Sequence, residues 1–214
     1  MTDENQPKFR RRADARPDEI LDAALALFIQ KGFAQTKVDE IARAAGLSKG
    51  AVYLYFPSKE ALLEGLVERA VLPVASEAAA QLAARDEHPQ VTITRVMKAV
   101  ARALEKDNTL AVPLLVIREA PALPRIAEIY RDHILLRLIP ALTALIADGV
   151  NRGILRPTDP ELAVRTVIGP MILHIMLAKV FGLAPRGGLD LDRMIDNHLE
   201  IIFCGLDANP EGRG

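Results

Sequence analysis

Between Gly32 and Ser58 the sequence stops and restarts helical periodicity at unusually short intervals. Gly32 supplies a C-terminal stop. Thr36-Lys37-Val38-Asp39 then resembles a capping box, with Thr36 as the cap and Asp39 a shorter substitute for the usual Glu. The helix that follows runs through Ala45 and ends at Gly46. Ser48 is placed to cap another through about Tyr55, and Pro57-Ser58 breaks that helix and caps a fourth. Few folds are compatible with helix boundaries packed this closely.

One that fits is a helix-turn-helix, which needs two short helices crossing steeply, a small residue at their approach, a turn residue tolerant of positive φ, and an apolar lock. Residues 38–55 supply each part. Val38, Ile41, Ala45, Leu47 and Val52 can form the lock, Ala42 is the small contact, and Gly46 is the turn. The second helix opens on Ser48, Lys49, Gly50 and Ala51, small residues with one cation, so its N-terminus can come close to a major groove. Upstream, Ile20, Ala24, Leu27 and Phe28 recur at helical spacing, predicting a first helix from about Pro17 to Lys31.

The formal net charge of −1 does not favour a nucleic-acid partner, but the charge is unevenly placed. Lys8, Arg10, Arg11, Arg12 and Arg16 face only Asp14, whereas the chain after residue 60 is closely balanced. Residues 1–16 are polar and aperiodic and are expected to form a flexible basic arm. Arg10, Arg11 and Arg12 admit two readings: contact with DNA, or an ordinary solvated charge run.

The run GFAQTKVDEIARAAGLSKGAVYLYFPSKEALL, residues 32–63, resembles the DNA-binding signature of the TetR/AcrR family. The resemblance implies a homodimer that sets two recognition helices in successive major grooves of a palindromic operator, with a ligand pocket in the C-terminal domain. By position, Thr36 would cap the second helix and donate to a phosphate. Ser48, Lys49, Gly50 and Tyr53 lie on or at the start of the recognition helix, and Tyr55 and Lys59 would hold the DNA backbone. Thr36 and Ser48 also read as caps alone. Tyr53 and Tyr55, two apart on a helix, point in different directions, so at least one faces outward; Phe56 reads as core.

The remainder also reads as helical. Half of all residues are apolar and only 4% aromatic, with Ala and Leu prominent, which favours helices over sheet. The pattern continues from Ser58 through Arg85 with a break at Pro73, followed by helices at about 90–106, 109–119, 124–149, 160–181 and 189–206. The expected fold is therefore all-α: a three-helix DNA-binding domain at 17–60, a helical-bundle domain for ligand binding and dimerisation at 61–207, and a flexible tail at 208–214. The helices at 160–181 and 189–206 are the expected dimer interface. Arg118, Tyr130, His133, Arg137, Met171 and His174 are candidate pocket residues, polar anchors and an adaptable thioether in apolar surroundings, although Met and Leu stripes equally read as core.

No spacing suggests catalysis, a metal or a cofactor. His88, His133, His174 and His198 are far apart, and HxxxH, CxxC, GxSxG and Gly-rich phosphate loops are absent from the sequence. One cysteine, Cys204, excludes an intrachain disulfide, and the N-terminus lacks a signal-peptide pattern. The apolar run 167–180 falls short of the roughly 20 residues that span a bilayer. A cytoplasmic protein that is not an enzyme is expected, with double-stranded operator DNA, a second copy of itself and a small-molecule effector as partners, and no membrane. A helix-turn-helix protein that organises DNA without a ligand is the alternative.

The arm is testable through counterion release. If it contacts DNA, replacing Arg10, Arg11 and Arg12 by Ala lowers the slope of log K against log salt by about 0.9 for every phosphate the arm neutralises; an unchanged slope removes the arm from the interface.

Overall fold

The computed structural model describes residues 8–84, 87–106 and 109–206. The described residues form α1 (Lys8–Lys31), α2 (Val38–Ala44), α3 (Lys49–Tyr55), α4 (Lys59–Ala70), α5 (Leu72–Ala83), α6 (Pro89–Leu104), α7 (Ala111–Glu119), α8 (Pro124–Tyr130), a π turn (Arg131–Leu135), α9 (Leu136–Asn151), α10 (Pro160–Lys179) and α11 (Leu191–Leu206). No strand occurs among them, and the all-α expectation holds.

Three local readings change. Helix α1 starts at Lys8, so residues 8–16, expected as an irregular arm, continue it. Ala and Arg are good helix formers, and the ring of Pro17 fixes a φ that a helix accepts and removes only one backbone donor. Residues 1–7 and the expected tail at 208–214 lie outside the described residues. The cap of α2 is Lys37, not Thr36: the Glu40 carboxylate accepts from the Lys37 N–H at 3.1 Å. The expected helix at 124–149 is helical throughout but contains a π turn at Arg131–Leu135.

Packing divides the described residues into two units, and the division does not follow chain order: those up to 72 with 109–133 form one, those from 73 to 106 with 134–206 the other. In the first, α1 packs on α2, α4 and α7, and α8 packs on α4 and α7. Ile20, Ala24 and Phe28 of α1 are fully buried, with Leu62, Leu63 and Leu66 of α4. The Phe28 and Phe33 rings meet at 5.0 Å with an interplanar angle of 47°, a tilted aromatic pair. Polar ties join the same helices: Arg69 on α4 pairs with Asp18 and Asp22 on α1 at 3.2 and 2.7 Å.

The second unit packs α6 on α9 and α11, and α10 on α9 and α11. Of the apolar residues expected to serve a dimer face and in part the core, Val164, Val167, Met171, Ile175, Ile195, Leu199, Ile202 and Phe203 are buried in this unit, whereas Ile168 and Met194 are half-buried. The apolar side chains left uncovered are different ones, Leu162, Ile172 and Leu173 on α10 and Ile201 on α11. Two helical stretches, Pro124–Asn151 and Pro160–Lys179, reach 28 and 20 residues and are apolar enough to cross a membrane by length and composition alone. Most of the 167–180 run lies within the second of these helices, which extends beyond it on the N-terminal side.

A close approach in the first unit is set by glycine. A Cβ on Gly65 of α4 would lie 2.8 Å from the Phe56 ring and 3.2 Å from a Leu21 methyl, so Phe56, only partly buried, seats against bare backbone. Gly65→Ala is expected to lower stability by about 1–2 kcal/mol, because overpacking of about 1–3 kcal/mol exceeds the gain in helix propensity of up to about 1 kcal/mol. A urea-unfolding midpoint at or above that of the parent chain would show that the ring can move aside.

Candidate nucleic-acid interface

Helix α3 has seven residues and is held by very little of itself. Gly46, at φ +67°, turns the chain out of α2, a left-handed conformation that favours glycine. The Ser48 hydroxyl then accepts from the Ala51 N–H at 3.1 Å and caps α3. Inward, Val52 is fully buried. Outward stand Lys49, Gly50, Tyr53, Leu54 and Tyr55, all exposed, with Tyr53 at 42% and Leu54 at 84%. Both tyrosines thus reach solvent. Leu54 is the residue that sequence reasoning missed. Its signal was available: with Val52 inward, helical geometry puts the residue two positions later on the far side.

Gly50 has open space where a side chain would stand. A Cβ there would meet nothing nearer than the Ser48 hydroxyl oxygen at 4.0 Å. Internal packing therefore does not require glycine, and a helical position usually disfavours it by up to about 1 kcal/mol relative to alanine. The bare backbone is an opening towards whatever lies outside.

Lys49 pairs with Asp39 of α2 at 2.8 Å, both side chains being more than half exposed. The hydrogen bond to that carboxylate, then its charge, raises the Lys49 pKa above the usual lysine value. Its ammonium also lies 6.0 Å from the centre of the Tyr53 ring. An exposed ion pair is held weakly, so this cation can exchange Asp39 for a stronger anion.

Thr36 and Lys59, for which phosphate contacts were expected, are both engaged within the protein. Thr36 is buried at 2% exposure, and its hydroxyl donates to the Gly32 carbonyl at 2.8 Å. The Lys59 ammonium donates to the carbonyls of Phe33, Ala34 and Thr36 at 2.7, 3.2 and 3.1 Å. Three donors meet three acceptors, and the Phe33 ring lies 4.5 Å beneath. These residues fix the loop between α1 and α2 onto the start of α4. What Lys59 offers outward is charge, at the N-terminus of α4, where the Ser58 hydroxyl accepts from the Ala61 N–H.

The expected pocket residues are not brought together. The Arg118 guanidinium donates to the Phe28 carbonyl at 2.7 Å and to the Glu119 carboxylate at 2.9 Å, tying α7 to α1. Tyr130 is largely buried, and burial pushes its phenol up to about 12. The His133 ring faces Glu64, and Arg137 is exposed. His174 meets the Leu189 carbonyl and lines an open groove between α10 and α11 with Leu173, Met194 and His198. Only Met171 lines the apolar cavity of the second unit, a space of about 100 Å³ walled by Leu82, Ile93, Met97, Leu142 and Val167 among others. Spacing along a helix gave the polar residues a common face but not a common cavity.

Comparison with known proteins covers most of the chain. Residues 20–66 match the family of bacterial regulatory proteins typified by the tetracycline repressor, and residues 90–180 match a tetracycline repressor-like C-terminal domain. The chain is 34% identical over 211 residues to the HTH-type transcriptional regulator RutR of Escherichia coli strain K12, covering 93% of this chain and 94% of that one. It is 28% identical to the HTH-type transcriptional regulator EthR of Mycolicibacterium smegmatis, covering 84% and 85%. Among solved structures, SmeT, the repressor of the Stenotrophomonas maltophilia multidrug efflux pump SmeDEF, superposes with a TM-score of 0.72 at 25% identity, covering 89% and 90%.

Two substitutions separate reading from folding. Tyr53→Ala is expected to weaken specific DNA binding, measured by fluorescence anisotropy, while leaving the melting temperature nearly unchanged. Gly50→Ala is expected to hold or raise the melting temperature and still weaken binding. Unimpaired binding by Gly50→Ala would show that nothing approaches α3 closely there.

Proposed function

The chain belongs to the TetR family of bacterial transcriptional regulators, and on that premise we propose that it is a homodimeric repressor released from a palindromic operator by a small-molecule effector. The observation that carries the DNA reading is the outward strip of α3: a cation, a bare glycine, an exposed tyrosine and an exposed leucine on a helix anchored by Val52. Lys49 and Tyr53 reach base edges in the major groove, Leu54 offers an apolar contact of the kind thymine methyls accept, and Tyr55 and the first turn of α4 hold phosphates. In this reading residues 17–60 recognise DNA, while 61–207 bind the effector and pair the subunits.

The uncovered apolar side chains of α10 and α11, and the groove between those helices, favour a second copy as the partner of this face. That assigns the membrane-length composition of α10 to subunit pairing within a cytoplasmic protein. The apolar cavity is the reading's effector site. At about 100 Å³ it lies below the usual range of ligand pockets, roughly 300–1,000 Å³, so the effector is small and apolar or enlarges the space on entry. SmeT has been solved as a complex with triclosan, which supports a ligand-binding role for a chain of this fold. Effector binding shifts the spacing of the two recognition helices, so that both no longer fit their grooves together.

Selection of bound fragments from a random duplex pool, run on the size-fractionated dimer, is expected to enrich one palindrome. Enrichment without sequence preference would replace the regulator by a DNA-organising protein. A panel of small apolar molecules, scored first by thermal stabilisation, is then expected to contain one that releases the operator. Release by none while the palindrome is still bound would leave a repressor without an effector.

A further inference from the structure

Glu64 and Glu68 stand one turn apart on α4, and both face a side chain from elsewhere in the same packing unit. His133, in the π turn that follows α8, has Nε2 3.1 Å from a Glu64 carboxylate oxygen and Nδ1 3.9 Å from a Glu68 carboxylate oxygen. One potential ligand atom from each of the three residues lies within 4.8 Å of the others. Neighbouring arginines are engaged elsewhere: Arg69 pairs with Asp18 and Asp22, and Arg131 with Asp132. Among the described residues, His133 is therefore the one ion-pairing partner of both carboxylates.

We propose that Glu64, Glu68 and His133 form a site for a first-row transition dication of the Zn²⁺ class. Two carboxylates and an imidazole are a ligand set that zinc and its neighbours accept, whereas Mg²⁺ and Ca²⁺ prefer oxygen throughout. Bonds of about 2.0–2.2 Å put ligand atoms roughly 3.0–3.5 Å apart, a contraction that rotation of the long Glu side chains supplies. The side chains are 24% exposed at His133, 37% at Glu64 and 54% at Glu68, leaving room for water in the remaining coordination positions. A π turn is also a feature that recurs at functional sites. A metal here fastens the middle of α4, whose first residue holds the helix-turn-helix loop, to the end of α8. The ligands come from two segments far apart in the chain, which is why no sequence spacing announced them.

The test uses the full-length protein, stripped with a chelator that is then removed, in a Cys204→Ser background because Cys204 is an exposed thiol able to bind metal on its own. Titration with Co²⁺ near pH 7.5, followed by visible d–d absorption and by displacement with Zn²⁺, is expected to show one dication per chain. His133→Gln, Glu64→Gln and Glu68→Gln are each expected to weaken that binding by about 10-fold or more. Glu68 is the most exposed of the three, so its variant is the least able to disturb folding, and metal-free melting curves identify any that does. Lowering the pH towards 6 is expected to weaken binding further, because a proton competes for the imidazole. Absence of saturable Co²⁺ or Zn²⁺ binding, or binding undiminished in folded His133→Gln or Glu68→Gln protein, would leave the cluster as an ion pair and overturn the site.

Discussion

The Lys59 ammonium, shared among three carbonyls of the loop between α1 and α2, is the contact on which the reading unit depends. Helices α2 and α3 have seven residues each, far too short to persist alone in water. Their orientation must come from what surrounds them. Lys59 fastens the entry to α2 onto α4, Thr36 closes the same loop from inside, and the Phe28–Phe33 pair fills the space beneath. The Lys59 ammonium thereby helps to fix the frame from which α3 projects.

The sequence made the helix-turn-helix legible because its signals are local. Gly46 at the turn, Ser48 at the cap and Val52 in the core each act within a few residues of themselves, and each stands where periodicity and turn chemistry put it. The assignment at Thr36 failed for a related reason: a threonine before a helix has two ways to use its hydroxyl. Burial directed it back to Gly32, leaving the neighbouring Lys37 backbone to be capped by Glu40. The carbonyls that Lys59 engages lie more than twenty positions upstream, beyond the reach of local pattern.

In the second half the signals are long-range, and local pattern could give only helix positions. Tyr130, His133 and Arg137 do share a spacing, yet a shared face says nothing of what that face meets. The π turn at Arg131–Leu135 adds to this, because it offsets the helical register where those residues lie. The apolar residues of α10 and α11 were likewise identified as a group. Which of them point inward to α6 and α9 and which stay uncovered depends on helix rotation, which composition does not encode.

The sparse anchoring of α3 has a consequence for how such a protein can diverge. Val52 carries the helix's fully buried contact, while Lys49, Gly50, Tyr53 and Leu54 are exposed, with the Lys49–Asp39 ion pair at the surface. Substitutions on that strip leave the frame built by Lys59, Thr36 and Phe33 untouched. On the proposed reading of this strip, duplicated copies can drift to new operators by replacements that leave the buried frame of the helix-turn-helix unchanged.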